Sequence, residues 1–131
     1  MINSLNDSFI RIKNGYKFNL DSVLIVKSKK VIKVLDILYL EGYIRGYSLD
    51  PLDIYKIKVL LKYNSDGKSP FRGIKVISIS SKRVYVSVDT LFNLNLKNSL
   101  GCFILSTSKG ILCLNDALKY NIGGELLCYV L

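Results

Sequence analysis

Ser106-Thr107-Ser108-Lys109-Gly110 brings three hydroxyls, an ammonium and a flexible backbone to one point of the chain. Apolar segments flank it, Gly101 to Leu105 before and Ile111 to Leu114 after, so the five residues read as a hairpin turn. Hydroxyl donors, a cation and free backbone N–H groups suit a sugar–phosphate backbone, to which most protein contacts with nucleic acid are made. Two other chemistries use similar residues. Ser106 and Lys109 match Ser-x-x-Lys, which in penicillin-binding enzymes sets a lysine one helical turn from a nucleophilic serine. A turn between strands supplies no such helix, and the companion motifs Ser-Asp-Asn and Lys-Thr-Gly are absent. A nucleotide-hydrolase phosphate loop needs Gly-x-x-x-x-Gly-Lys-Ser/Thr ahead of a helix. Here the glycine follows the lysine and a strand follows the glycine. Hydroxyl residues and glycine are also what ordinary turns use.

Gly123-Gly124-Glu125 is the second constellation. A glycine pair in a strand marks a bend or bulge, or a close approach of backbone to a ligand. Glu125 is unusual beside a basic site; it can accept from a base amino group or a ribose hydroxyl, or pair with a nearby lysine. The chain has no histidine, which removes the commonest general base and the commonest metal ligand. Cys102, Cys113 and Cys128 are odd in number, lack a Cys-x-x-Cys spacing and sit in apolar contexts, so they read as buried, reduced thiols and as no zinc site. Neither a metal nor a cofactor is expected.

Net charge is +9, split +4 over residues 1–66 and +5 over 67–131, so neither half is a neutral domain with a basic tail. Such an excess favours nucleic acid or an anionic surface as partner, beside the plain alternative of charge that only keeps the chain in solution. Half of the residues are hydrophobic, enough for one domain or two small lobes. Mean hydropathy is +0.28, yet no apolar run approaches the roughly 20 residues of a membrane span. Residues 1–20 lack the apolar stretch of a signal peptide. Fifteen Lys against four Arg, with many Asn, Ile and Tyr, fit an A+T-rich coding sequence, organellar or bacterial.

The elements that must position these groups follow from periodicity. Asn3 or Ser4 caps a first helix whose stripe is Ile2, Leu5, Phe9 and Ile12, with Arg11 and Asn14 off the stripe and Gly15 closing it. Ser22 to Val26 is a strand. Ser28 caps a helix over Lys29–Glu41, closed by Gly42. Tyr43 to Leu49 is a strand that Asp50-Pro51 breaks. In Ile54 to Tyr63, Tyr55, Ile57, Val59, Leu61 and Tyr63 face one way and Lys56, Lys58 and Lys62 the other, which reads as a solvated sheet face. The turn-rich Asn64–Pro70 stretch places a lobe boundary between 66 and 67. Beyond it strands are expected over Gly73–Ser80, Arg83–Val88, Leu100–Ser106, Ile111–Leu114 and Glu125–Leu131. A single helical turn is expected at Asp89–Leu91, and a short helix capped by Asn115 reaching Tyr120. The fold class is α+β: an α-β-α-β-β lobe over 1–66 and a β-rich lobe over 67–131.

Read together, Ser106-Thr107-Ser108-Lys109-Gly110, Ile122-Gly123-Gly124-Glu125 and Cys128-Tyr129-Val130 resemble the C-terminal end of the small-subunit ribosomal protein eight family. Arg11-Ile12-Lys13-Asn14-Gly15, Ser28-Lys29-Lys30, Glu41-Gly42-Tyr43-Ile44 and Leu60-Leu61-Lys62-Tyr63 resemble its N-terminal half in order and spacing. One departure stands out. Where the family carries Ser-Arg-Pro-Gly before Arg-x-Tyr, residues 78–82 read Ser-Ile-Ser-Ser-Lys, while Arg83-Val84-Tyr85 fits. The resemblance implies a two-lobe protein that binds the central domain of small-subunit ribosomal RNA and touches neighbouring small-subunit proteins. It implies no catalysis, no membrane and no small-molecule substrate. It places RNA contacts at Ser106, Thr107, Ser108, Lys109, Gly110, Gly123, Gly124, Glu125, Arg83 and Tyr85, and a second surface at Arg11, Lys13, Asn14, Ser28, Lys29 and Lys30. A free regulatory RNA binder, acting for example on its own message, is the alternative. With the base composition, the mitochondrial matrix is the expected location, ahead of a plastid or the bacterial cytoplasm.

Overall fold

The computed structural model of the chain describes residues 4–78, 81–97 and 101–131. They divide into one unit that ends at Gly73 and another from Ile74 to Leu131. The turn-rich stretch at 64–70 therefore closes the first unit rather than separating the two. Phe71 stacks on Tyr16 of the first helix with ring centroids 4.6 Å apart, which holds residues beyond the expected 66/67 boundary in that unit.

In the N-terminal unit, α1 (Ser4–Lys17) and α2 (Lys29–Leu40) pack on an antiparallel sheet of β1 (Ser22–Val26), β2 (Ile44–Leu49) and β3 (Lys56–Leu61), in the order β1-β3-β2. Leu5, Phe9 and Ile12 recur at helical spacing and are buried, as are Val31, Val34, Leu35 and Leu38 of α2. Ile57, Val59 and Leu61 alternate along β3 and complete this core. Lys58 lies opposite Leu24 and Ser48 on the other, exposed face. Each large apolar side chain so buried contributes about 1.5–3 kcal/mol relative to an exposed one.

Gly15 does not end α1 as its sequence suggests. The helix continues to Lys17, and position 15 is glycine because a Cβ there would meet Val23 Cγ1 at 2.5 Å and Leu61 Cδ1 at 3.0 Å. Glycine here permits close helix–sheet packing. The stop is Asn19 in the left-handed region (φ 55°), with the Leu20 N–H bonded to the Gly15 carbonyl at 2.9 Å. The proposed cap Asn3 and the stripe residue Ile2 lie outside the described residues. Ser28 behaves as expected: its hydroxyl accepts from the Val31 N–H at 3.1 Å.

In the C-terminal unit, β4 (Ile74–Val76), β6 (Cys102–Thr107), β7 (Gly110–Cys113) and β8 (Gly124–Val130) form a sheet in the order β4-β8-β6-β7, and β5 (Tyr85–Val86) also pairs with β8. α3 (Val88–Lys97) and α4 (Leu114–Lys119) join a core of Leu91, Phe103, Leu105, Leu114, Ala117 and Leu126. Cys102, Cys113 and Cys128 are buried and unbridged. The expected strand over Arg83–Val88 shortens to β5, and the expected single turn at Asp89–Leu91 is a ten-residue helix. Leu91 is fully buried, and the Ser87 hydroxyl accepts from the Thr90 N–H at 3.4 Å at its start. Tertiary burial thus overrides the poor propensity of Asn93 and Asn95. Asn115 does not cap α4; the chain enters the helix at Leu114 with Cys113 as N-cap, and no side chain caps it. Parts of the strands expected at 79–80 and at 100 lie outside the described residues.

Candidate nucleic-acid interface

The β6–β7 hairpin carries the hydroxyl turn, and its three hydroxyls are not equivalent. The Thr107 hydroxyl donates to the Gly110 carbonyl at 2.8 Å and accepts from the Lys109 N–H at 3.2 Å. It closes the turn from within, and Gly110 at φ 108° completes the reversal in a region that disfavours side chains. Ser108, Lys109 and Gly110 are exposed at the tip. Ser106 sits one step inside on β6, paired with Ile111 on one side and Glu125 on the other.

Sheet register then gathers residues far apart in sequence. Tyr85 of β5 pairs with Glu125 of β8, and Glu125 with Ser106 of β6, so Tyr85, Glu125 and Ser106 form a row across the sheet beside the turn. Arg83 Nη1 lies 3.3 Å from Glu125 Oε2. Glu125 is thus the partner that orients Arg83, which accounts for a carboxylate beside a basic site. With Arg83 about half exposed, the pair adds at most ~1 kcal/mol to stability. Gly123 and Gly124 are explained by the sheet itself: a Cβ on Gly123 would strike the Val86 carbonyl oxygen, and one on Gly124 the Ser106 carbonyl oxygen. They bring β8 against β5 and β6 at the row's end.

Ser78 ties β8 to the segment that carries Arg83 and Tyr85. Ser78 is buried; its hydroxyl donates to the Leu126 carbonyl at 2.6 Å and accepts from the Val84 N–H at 3.0 Å. This bond pair fixes Val84, between Arg83 and Tyr85, against β8.

The N-terminal candidates are arranged more loosely. Arg11 Nε pairs with Asp7 Oδ2 at 3.0 Å on the surface of α1. Arg11 and Asn14 line an open cavity of about 670 Å³ with Phe18, Leu20, Leu24 and Lys58. Lys13, Lys29 and Lys30 are exposed and do not line it. Lys29 and Lys30 occupy the first turn of α2, where the helix dipole favours anions and no acidic residue is present. That placement costs stability, which a polyanionic partner would recover. The Ser28 hydroxyl is occupied as the cap.

Two titratable environments stand apart from these surfaces. The Cys113 thiol is drawn down to about 7, chiefly by its hydrogen bond with Cys102, while burial pushes Cys128 up to about 12. Among the described residues there is no cluster of three or more potential metal ligands, and no helix long and apolar enough to cross a membrane. The sequence reading missed Tyr120, whose ring lies 4.6 Å from the Lys109 ammonium. It also missed Ser78 as the staple of its segment. Both are non-local pairings that leave no mark in local periodicity.

The fold and these surfaces define a small, basic α+β binding protein of two units. Comparison with known proteins gives the family. The family model "Ribosomal protein S8" matches residues 3–131. The small ribosomal subunit protein uS8 of Rhizobium rhizogenes is 42% identical over 132 residues, covering 99% of this chain and 98% of that protein. That of Campylobacter hominis is 41% identical over 132 residues, covering 99% of each. The chain belongs to the ribosomal protein S8 family, as its motifs led one to expect. This is a family of ribosomal structural proteins and not of enzymes.

Proposed function

We propose that the chain is a structural constituent of the small ribosomal subunit, binding the central domain of its RNA and meeting neighbouring small-subunit proteins. The observation that carries the site is the division of labour in the hydroxyl turn. Thr107 is consumed in closing it, which leaves the Ser108 hydroxyl and the Lys109 ammonium exposed at the tip. Structured RNA is read by shape, ribose hydroxyls, phosphates and distorted bases. Ser108 meets ribose or base edges, Lys109 a phosphate, and the Arg83–Tyr85–Glu125–Ser106 row extends the contact. Gly110, Gly123 and Gly124 act by allowing backbone to come close. Arg11, Lys13, Asn14, Lys29 and Lys30 supply a second, mainly electrostatic surface, with Ser28 holding the helix that displays the last two.

Ser106 lies on β6 and Lys109 in the turn over Tyr120, so the helical Ser-x-x-Lys geometry is missing and a serine-reactive probe leaves the protein unlabelled. The A+T-rich residue usage favours an organellar ribosome in the mitochondrial matrix; the bacterial relatives favour a bacterial cytoplasm, and the location of the gene decides. Sedimentation tests the assignment: the protein travels with the small subunit, whereas a pool free of ribosomes would favour a regulatory RNA binder. Affinity for RNA falls with salt at a log–log slope of roughly −3 to −5, for about five neutralised phosphates. A flat response would remove the phosphate contacts.

A further inference from the structure

We infer that Tyr120 is a positioning residue for RNA binding: its ring holds the Lys109 ammonium in the place where it meets a phosphate. The inference rests on the reading of the hydroxyl turn as an RNA contact and goes one residue further.

A lysine at an exposed hairpin tip ordinarily samples many rotamers, and ordering it on binding has an entropic cost. Here the ammonium sits 4.6 Å from the Tyr120 ring centroid, within the range of cation–π attraction. The backbone that carries the ring is held by the core. Tyr120 is the C-cap of α4, its N–H bonded to the Asp116 carbonyl at 3.0 Å. Leu114 and Ala117 anchor α4 in the core beside Leu105 of β6. Immediately after Tyr120 the chain reverses through Asn121 at φ 58°, and the Ile122 N–H returns to the Ala117 carbonyl at 3.1 Å. Rigid packing is thereby passed from the core through α4 to the one cation of the turn, while half of the Tyr120 side chain remains exposed. Thr107 fixes the backbone of the turn and Tyr120 fixes its charge.

The experiment measures binding of the cognate RNA helix by the full chain carrying Tyr120→Leu, Tyr120→Phe, Lys109→Met, the Tyr120→Leu/Lys109→Met pair, and Ser108→Ala as a reference. Tyr120→Leu weakens binding about two- to five-fold, the worth of an exposed cation–π contact. Tyr120→Phe keeps the ring and binds within about twofold of the parent. In the Lys109→Met background Tyr120→Leu has no further effect, since the two act as a unit. Equal losses from Tyr120→Leu with and without Lys109 would overturn the inference, because the ring would then touch RNA itself. So would parental binding by Tyr120→Leu, or failure of Tyr120→Phe to restore it. Ser108→Ala separates this from failure of the site: a loss with Ser108→Ala alone refutes only the role of Tyr120. Parental binding by both Ser108→Ala and Lys109→Met refutes the turn as an RNA contact, and the role of Tyr120 with it.

Discussion

The hydroxyl turn of the C-terminal unit and the basic surface of the N-terminal unit carry similar charges in different settings. Around the turn most groups have a fixed neighbour, and the Ser108 hydroxyl is left exposed at the tip. Thr107 bonds across it, Glu125 holds Arg83, Tyr120 lies against Lys109, and the Ser78 hydroxyl ties down the strand that leads to Tyr85. On the N-terminal unit Lys13, Lys29 and Lys30 project from helices, and Arg11 pairs with Asp7 and reaches the Leu24 carbonyl at 3.5 Å. Fixed hydroxyls and ion pairs distinguish one RNA shape from another, whereas mobile lysines attract any polyanion. We propose from this difference that discrimination resides in the second unit and that the first adds affinity.

The largest expected effect breaks the ordered side. Gly124→Ala forces a Cβ toward the Ser106 carbonyl oxygen, where backbone cannot yield as a flexible side chain would. Strain of this kind costs about 1–3 kcal/mol, occasionally more. Chemical denaturation should show the loss, and RNA discrimination should fall with it as β8 and β6 separate.

A change in the other unit's core should leave discrimination intact. The Tyr16 hydroxyl donates to the Tyr43 carbonyl at 2.5 Å and accepts from the Lys62 N–H at 3.2 Å. Tyr16→Phe unpairs both and costs about 1–2 kcal/mol of stability. Burial raises the Tyr16 pKa above the ordinary value of 10.0. The folded state therefore favours the neutral phenol. The associated stability is fully present below pH 10 and is lost as pH rises above it, and Tyr16→Phe removes that alkaline dependence. Denaturation midpoints at about pH 9 and about pH 11 compare the two proteins below and above the ordinary phenol value. An unchanged alkaline slope in the mutant would place the titration elsewhere.

The smallest effect sharpens the comparison. Lys29→Ala with Lys30→Ala lowers affinity for cognate and unrelated RNA alike and makes the salt slope shallower by about 0.7–0.9 for each phosphate no longer neutralised. Removing cations from the first turn of α2 raises stability by a few tenths of a kcal/mol. Unequal losses on the two RNAs would show that these lysines read structure after all.

Much of this was legible in the sequence where the cause is local. Ser28 followed by Val31, Leu35, Leu38 and Gly42 states a capped amphipathic helix, and alternation through Ile57, Val59 and Leu61 states a half-buried strand. The turn was visible because Ser, Thr, Lys and Gly cluster between apolar runs. What escaped depends on tertiary contact. Gly15 reads as a stop until Val23 is seen against it. α3 is weak in propensity and exists because Leu91 is buried. The boundary was misplaced because nothing local in residues 64–73 announces the stacking of Phe71 on Tyr16. The row Tyr85–Glu125–Ser106 arises from register across three strands; Ser106 and Glu125 were visible as separate constellations, and Tyr85 only through the family motif.

The central claim, that the hydroxyl turn reads RNA while the lysine face only attracts it, is tested most directly by filter-binding titrations of Ser108→Ala and Lys58→Ala against a cognate and an unrelated RNA helix. Ser108→Ala removes a donor and acceptor that RNA desolvates. It should cost about 1–3 kcal/mol of cognate binding and blunt discrimination. Folding stability should change by no more than roughly 0.5 kcal/mol, since the tip is exposed. Lys58→Ala should weaken both RNAs equally, by about one phosphate contact at most. If Ser108→Ala binds the cognate helix like the parent while Lys58→Ala abolishes binding, the hydroxyl turn is only a turn and the reading surface lies on the N-terminal unit.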